Sequence, residues 1–193
     1  NRASEAAGNT YWQGTGLSQI DMVREMLATS DAITYFGSSL DSDQAFIEHI
    51  YLNTLAKTIT SDPEGIAYWV GKLVENTRSV VVSGLIEAAL TPVNAGDAQD
   101  QFKNRVTVSN YTVDVLTQLP GDYATSLAFD GGLPVTNDSS TVTSAYALVD
   151  ELVVNCQDST RDCSGGSATV DLNGTVEGSA VSSVYESCAA SFS

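Results

Sequence analysis

Three features of the sequence predict a mainly α fold: a repeat or bundle of short amphipathic helices with a small, β-hairpin-containing C-terminal tail. Apolar residues recur at spacings of three and four through most of residues 1–150, the periodicity of helix faces. One helix–turn–helix block occurs twice, as in arrays whose units bury their faces against one another. From Asn155 the composition turns to Ser, Gly and Thr, and Asn173-Gly174 lies between the β-prone runs Thr169–Leu172 and Thr175-Val176. That is a two-residue hairpin signature. The expected layout is a helical domain over 1–150, with related repeats at 1–37 and 41–92 followed by closing helices, and a tail over 151–193 with a hairpin near 169–176.

The better-formed block runs from Asp62 to Ala89. Asp62 is placed to accept hydrogen bonds from the first free amides of a helix, and Pro63 fits the first helical position, where its missing N–H costs nothing. Glu64 falls in the first turn, where the helix dipole favours a carboxylate. Ile66, Trp69, Val70 and Leu73 form the apolar stripe. A second helix carries Val81, Val82, Leu85, Ile86 and Ala89 on one face. Ahead of the block, Phe46, Ile47, Ile50, Tyr51 and Leu55 share the face of a leading helix that Asp41 or Ser42 can cap.

The first copy is less complete. Gly8, Tyr11 and Trp12 stand at one offset from Gly65, Tyr68 and Trp69: 65 less 8, 68 less 11 and 69 less 12 each leave 57. Met22, Val23, Met26 and Leu27 then answer to Val81, Val82, Leu85 and Ile86. Residue 1 falls after the point where a leading helix would end, so the expectation is a chain processed or trimmed there, or a first-copy surface completed by something else. Further on, Phe102, Val106, Val108, Val113, Val115 and Leu116 predict a third leading helix over 97–119, with Asp97 near its start. Pro120-Gly121 and Gly131-Gly132-Leu133-Pro134 mark loops. Asn137-Asp138-Ser139-Ser140 then caps a helix whose inner face holds Val142, Ala145, Tyr146, Leu148 and Val149.

Charge and cysteine content narrow the function classes. The formal charge is −16, from 24 acidic against 8 basic residues. Such a surface disfavours nucleic acid and anionic membranes, which need a cationic face. No apolar run approaches the roughly 20 residues that span a bilayer. Cys156, Cys163 and Cys188 lie late in the chain. Cys156 and Cys163 flank a polar stretch that a disulfide can close, which leaves Cys188 free or paired with another chain, and the three alternative bridges all stay open.

Ser4-Glu5-x-x-Gly8-x-x-Tyr11-Trp12 and Ser61-Asp62-Pro63-Glu64-Gly65-Ile66-Ala67-Tyr68-Trp69 resemble the bacterial domain of unknown function numbered four-two-one-four. Its pattern is a leading helix with Tyr-x-x-x-Leu, then Gly-Arg, a Pro-Asp-x-x-Gly turn and Tyr-Trp. Tyr51 and Leu55 match the leading helix, and Lys57 stands where the arginine belongs. Ser4 and Ser61 replace the proline, and Thr58–Thr60 lengthen the second loop. Phe102–Val106 and Val135–Val142 look like segments that close such regions. The resemblance, over about residues 1–150, implies a secreted or cell-surface bacterial protein with a non-enzymatic helical domain, of a kind often found beside calcium-binding or surface-layer modules.

Candidate chemistry is sparse. Tyr11-Trp12 and Tyr68-Trp69 are either an aromatic platform for sugar or a partner, or core and turn anchors. His49 is the single histidine and sits mid-helix with no nucleophile signature, so a structural place suits it better than a triad. Zinc would need more clustered His and Cys. Asp41/Asp43, Asp97/Asp100 and Asp171 can serve calcium through oxygen ligands, but they lack the spaced acids and glycine of an EF-hand, and helix caps explain them better. Asn110, Asn137 and Asn173 would carry sugar in a glycosylating host alone. The expectation is a non-enzymatic extracellular structural protein without a cofactor, a self-associating subunit of a filament, sheath or surface layer whose partners are copies of itself or other surface proteins. The alternative is an adhesion module of a larger secreted protein that binds a glycan or a partner.

Overall fold

Hydroxyl and carboxylate side chains start the helices. In the computed structural model, which describes residues 1–115, 127–129 and 131–157, the first five of the helices are α1 (Ala6–Gly14), α2 (Gln19–Leu27), α3 (Ser30–Phe36), α4 (Asp43–Leu55) and α5 (Pro63–Leu73). They are followed by α6 (Arg78–Leu90), α7 (Asp97–Val115) and α8 (Ser140–Gln157). Ser18, Thr29, Ser42, Asp62 and Thr77 each accept a hydrogen bond from the amide three residues on, starting α2 to α6. Such a cap contributes about 1 kcal/mol. Short 3-10 turns at Gly37–Leu40 and Pro92–Asn94 join their neighbours. The mainly helical expectation is met.

The chain divides into two compact units, one made of Asn1–Tyr11 with the chain from Asn104 onward, the other of Trp12–Lys103. One boundary falls inside the expected first repeat and the other inside α7, where the sequence shows no break.

In the Trp12–Lys103 unit, α4 packs on α5, α5 on α6, and α2 on α6. Its core is Phe46, Ile47, Ile50, Tyr51, Ile66, Leu73, Val81 and Leu85, with Trp69, Val70, Val82, Leu55 and Leu27 around it. These are the faces the periodicity marks in α4, α5 and α6. Arg78 ties the start of α6 to that of α4: its guanidinium donates to the Leu40 carbonyl and to Asp43 (both 3.1 Å) and lies 4.5 Å over the Phe46 ring. Helix α3 and its 3-10 turn have no counterpart in the sequence reading.

The other unit is built from distant parts of the chain. Its core joins Ala3 to Val108, Leu127, Phe129, Leu133, Val135, Ala145 and Val149. Arg2 and Ala128 form an antiparallel bridge, with the Ala3 amide donating to the Leu127 carbonyl (2.9 Å) and the Phe129 amide to the Asn1 carbonyl (3.1 Å). Leu133 and Val135 therefore lie in the core, although the glycines and proline around them read as a loop. Helix α7 also departs from its apolar pattern: Val106 is exposed, and Gln99, Gln101 and Thr112 are buried. Gln99 donates to the Ala89 and Thr91 carbonyls at the end of α6, and Thr112 to those of Ser4, ahead of α1, and Ser109 in its own helix. Between α7 and α8, Tyr111 stacks on Tyr146 (3.9 Å between centroids) and donates to Asp150. Helix α8 continues past residue 150 into the expected tail. The Cys156 side chain, Cys163, Cys188 and the hairpin near 169–176 lie outside the described residues.

Replacing Ile66, which is fully buried, by alanine is expected to cost about 2–5 kcal/mol in chemical denaturation. Tyr68→Ala, two positions on and exposed, should stay within about 0.5 kcal/mol.

Candidate functional site

The repeat signature gathers at the start of α5. Tyr51 reaches it from α4 and Lys57 from the connecting loop. The Asp62 carboxylate divides its two oxygens: Oδ1 accepts the Gly65 amide (3.0 Å) and Oδ2 the Lys57 ammonium (2.8 Å). Lys57 is thus the cation on the capping acid. Its hydrogen bond and the Gly65 amide hold Asp62 below the usual carboxylate range against the opposing effect of burial. Tyr51 is buried, with the Asp62 charge close by. Both push its hydroxyl up to about 12, against a smaller opposing hydrogen bond from Trp69.

Gly65 is required by contact. A Cβ there would come 2.7 Å from Asp62 Oδ1 and 2.8 Å from the Tyr51 hydroxyl. Ala56, just after α4, has φ 53°, the left-handed region, and the Lys57 amide bonds back to the Tyr51 carbonyl (3.3 Å). A helix ending in this way favours glycine, the residue the family pattern has before its arginine. Pro63 takes the first position of α5, and Leu55 lies half-buried against the core.

The first copy repeats part of this geometry. Glu5 stands at the offset of Asp62, and a Cβ on Gly8 would meet its Oε1 at 3.2 Å. Arg2 pairs with Glu5 (3.2 Å) as Lys57 does with Asp62. The Tyr-Trp pairs split between the two readings. Trp12 and Trp69 are half-buried, and Trp69 packs on its unit's core next to Gly84. Tyr11 and Tyr68 are exposed, by 66 % and 56 %, so the anchor reading holds for Trp69 and fails for the tyrosines. Tyr68 stacks edge-on to Trp69 and carries the Lys72 ammonium 5.0 Å over its ring.

Ser39 and His49 form the pair nearest to a nucleophile and base, with Oγ 3.1 Å from Nδ1. The imidazole sits 4.8 Å from each of the Tyr35 and Phe36 rings, and its buried Nε2 makes no hydrogen bond among the described residues. A catalytic histidine needs a third group to orient it, and burial instead lowers the basicity of this one. Asp43, Asp97 and Asp100 lie in the first turns of α4 and α7, and Asp41 ends the 3-10 turn before α4. Among the described residues no group of three or more His, Cys, Asp or Glu is placed to hold a metal ion. Asp171 lies outside them. No helix among them is long and apolar enough to cross a membrane.

Residues 23–89 match the model of the family described as Domain of unknown function (DUF4214), so this segment carries the domain that the motifs resemble. The matched stretch holds the second copy and its leading helix. No curated protein and no solved structure matches the chain.

Two experiments test the capping assembly. Gly65→Ala is expected to destabilise by about 1–3 kcal/mol, while Gly71→Ala, where a Cβ meets nothing within 4 Å, should stabilise by up to about 1 kcal/mol; thermal melts compare them. Tyr51 ionises near its ordinary 10.0 when unfolded but at about 12 when folded. Its contribution to stability is thus complete below pH 10 and lost as pH rises from 10 toward 12. Denaturation across that window should show the loss in wild type and a reduced loss in Tyr51→Phe.

Proposed function

We propose that this chain is a non-enzymatic extracellular structural protein, a self-associating subunit of a filament, sheath or surface layer. The observation that carries this reading is the uneven use of side chains around the repeats. Tyr51, Asp62, Gly65 and Trp69 are spent on holding α5 to α4 and to its own cap, and none of these four is aimed at a substrate. Apolar side chains meanwhile stay at the surface: α2 and α3 have no fully buried residue, and Leu17, Ile20, Ile33 and Tyr35 are exposed. Surface of this kind suits association with copies of the chain or with other surface proteins. No cofactor and no nucleic acid belong to this reading, and calcium enters it as a counter-ion. The tail, with its hairpin near 169–176, is taken as an appendage to the helical part.

Exposed Tyr11 and Tyr68 at matching positions favour the second reading, an adhesion module for a glycan or a protein partner. An exposed aromatic ring offers a sugar a flat apolar face.

Charge supplies the test. Copies bearing −16 repel at low salt, and screening or calcium relieves that repulsion. Sedimentation and electron microscopy over a concentration series should show association that strengthens with salt and calcium and yields ordered polymers. A monodisperse monomer throughout overturns the structural-subunit reading. Glycan binding that is lost in Tyr11→Ala or Tyr68→Ala, with the fold intact, establishes the second reading instead.

A further inference from the structure

The inner stripes of α7 and α8 bring two phenols face to face. Val108, Tyr111 and Val115 recur at helical spacing along α7, as Val142, Tyr146 and Asp150 do along α8. Val108 is fully buried, and Tyr111, Val115, Val142 and Tyr146 pack on the core around it. The Tyr111 and Tyr146 rings stack with centroids 3.9 Å apart and planes 25° from parallel, closer than the roughly 4.5–7 Å usual for aromatic pairs. Both keep part of their surface in solvent, and Asp150 is exposed. The Tyr111 hydroxyl donates to the Asp150 carboxylate, a short charge-assisted bond. That bond, ahead of burial and of the Asp150 charge, holds the hydroxyl above its ordinary 10.0. At neutral pH the pair is therefore a protonated phenol, already hydrogen-bonded to a base and stacked on a second phenol.

We propose that Tyr111 and Tyr146 form an oxidative cross-linking site, where a one-electron oxidant of the haem-peroxidase type, supplied with hydrogen peroxide, joins the two rings as dityrosine. Tyr111 gives an electron to the oxidant and its hydroxyl proton to Asp150, while Tyr146 gives an electron to the oxidant and its proton to water. The two phenoxyl radicals pair through the ring carbons next to their oxygens. Each of those carbons then passes its hydrogen through solvent to the oxygen beside it, which restores both phenols. In all the pair loses two electrons and two protons, and these reduce one hydrogen peroxide to two waters. Contact selects this pair, because radical coupling needs two phenols within reach. Among the other described tyrosines, Tyr35 and Tyr68 lie edge-on to Phe36, His49 and Trp69, contacts that supply no second phenol, and Tyr51 is buried. The product staples α7 to α8 within one chain and closes a covalent loop that restricts the unfolded state. This goes beyond the structural-subunit reading and stands without it.

Treating the full chain at micromolar concentration with a haem peroxidase and hydrogen peroxide tests the site, with dityrosine fluorescence and mass spectrometry of the digest as readouts. A peptide pair carrying positions 111 and 146, lighter by two hydrogens than its separate parts, is expected. Its yield per molecule should not change on dilution. It should exceed any pair that joins Tyr11 or Tyr68 of two chains by about tenfold or more, because rings held together within one chain meet at an effective concentration of roughly millimolar. Tyr111→Phe and Tyr146→Phe keep a ring in place, and each should abolish the pair while circular dichroism shows the helices intact. Asp150→Asn keeps an acceptor but removes the base, so the pair should form several-fold more slowly and recover speed as pH rises toward phenol ionisation. Absence of the 111–146 pair from the folded chain, under conditions that yield dityrosine in the unfolded chain, overturns the site. A pair that forms only between chains, with a yield that falls on dilution, overturns it as well. An Asp150→Asn rate equal to wild type at every pH overturns the assignment of the proton to Asp150.

Discussion

The rest of the structure depends on how a helix is started beside a buried tyrosine. An α-helix opens with amides that have no partner within it, and here the start of α5 lies against α4, where a Cβ would collide. Glycine at 65 removes the collision, Asp62 takes its amide, and Lys57 neutralises the acid that remains. With α5 fixed in that way, Ile66 and Leu73 enter the core opposite Phe46, Val81 and Leu85, and Trp69 closes its edge. In this chain the second copy of the signature acts largely as a packing device: Tyr51, Lys57, Asp62, Gly65 and Trp69 answer steric or charge demands of this one junction, while Tyr68 stays exposed.

The same demand recurs at α1 and is met by different means. Glu5 and Arg2 supply the acid and its cation, and the hydrogen-bond partners of Ser4, just ahead of α1, come from residues beyond 104. A repeat whose parts lie at opposite ends of a described chain makes the unit that holds it discontinuous. It also removes part of the reason to look to another subunit for completion, since the chain can cover its own first copy. The apolar side chains exposed on and beside α2 and α3 lie elsewhere, in the Trp12–Lys103 unit.

Much of this was legible in the sequence, for physical reasons specific to each element. Helices α4, α5 and α6 show strong three-and-four periodicity and caps with one oxygen at the right place; the inner faces of α4 and α5 match the expected ones, and that of α6 does so at Val81, Val82, Leu85 and Ala89 but also buries Ser79 and Ser83. Asp62, Pro63 and Gly65 were readable because capping chemistry is local. Leu127, Phe129, Leu133 and Val135 were not, because nothing local marks an irregular segment as core; their burial depends on the bridge to Arg2, more than a hundred residues away. Thr112 and Gln99 were missed for the complementary reason: a polar residue on a helix reads as exposed unless the carbonyl it serves is known. Tyr11 and Tyr68 carry a repeat signal that cannot tell which of two adjacent aromatics turns inward. Helix α3 is a short run whose start rests on Thr29 alone.

Amide hydrogen exchange at Ser4 and Gly65 tests most directly whether both copies are held by the same kind of device. Each amide donates to a side chain outside its own helix ladder, to Ser109 in one case and Asp62 in the other. Slow exchange at both is predicted, with Ser109→Ala releasing Ser4 while Gly65 stays protected. Exchange at Ser4 as fast as in an unstructured peptide, in a protein whose Gly65 amide is protected, would contradict the claim that α7 holds the segment ahead of α1.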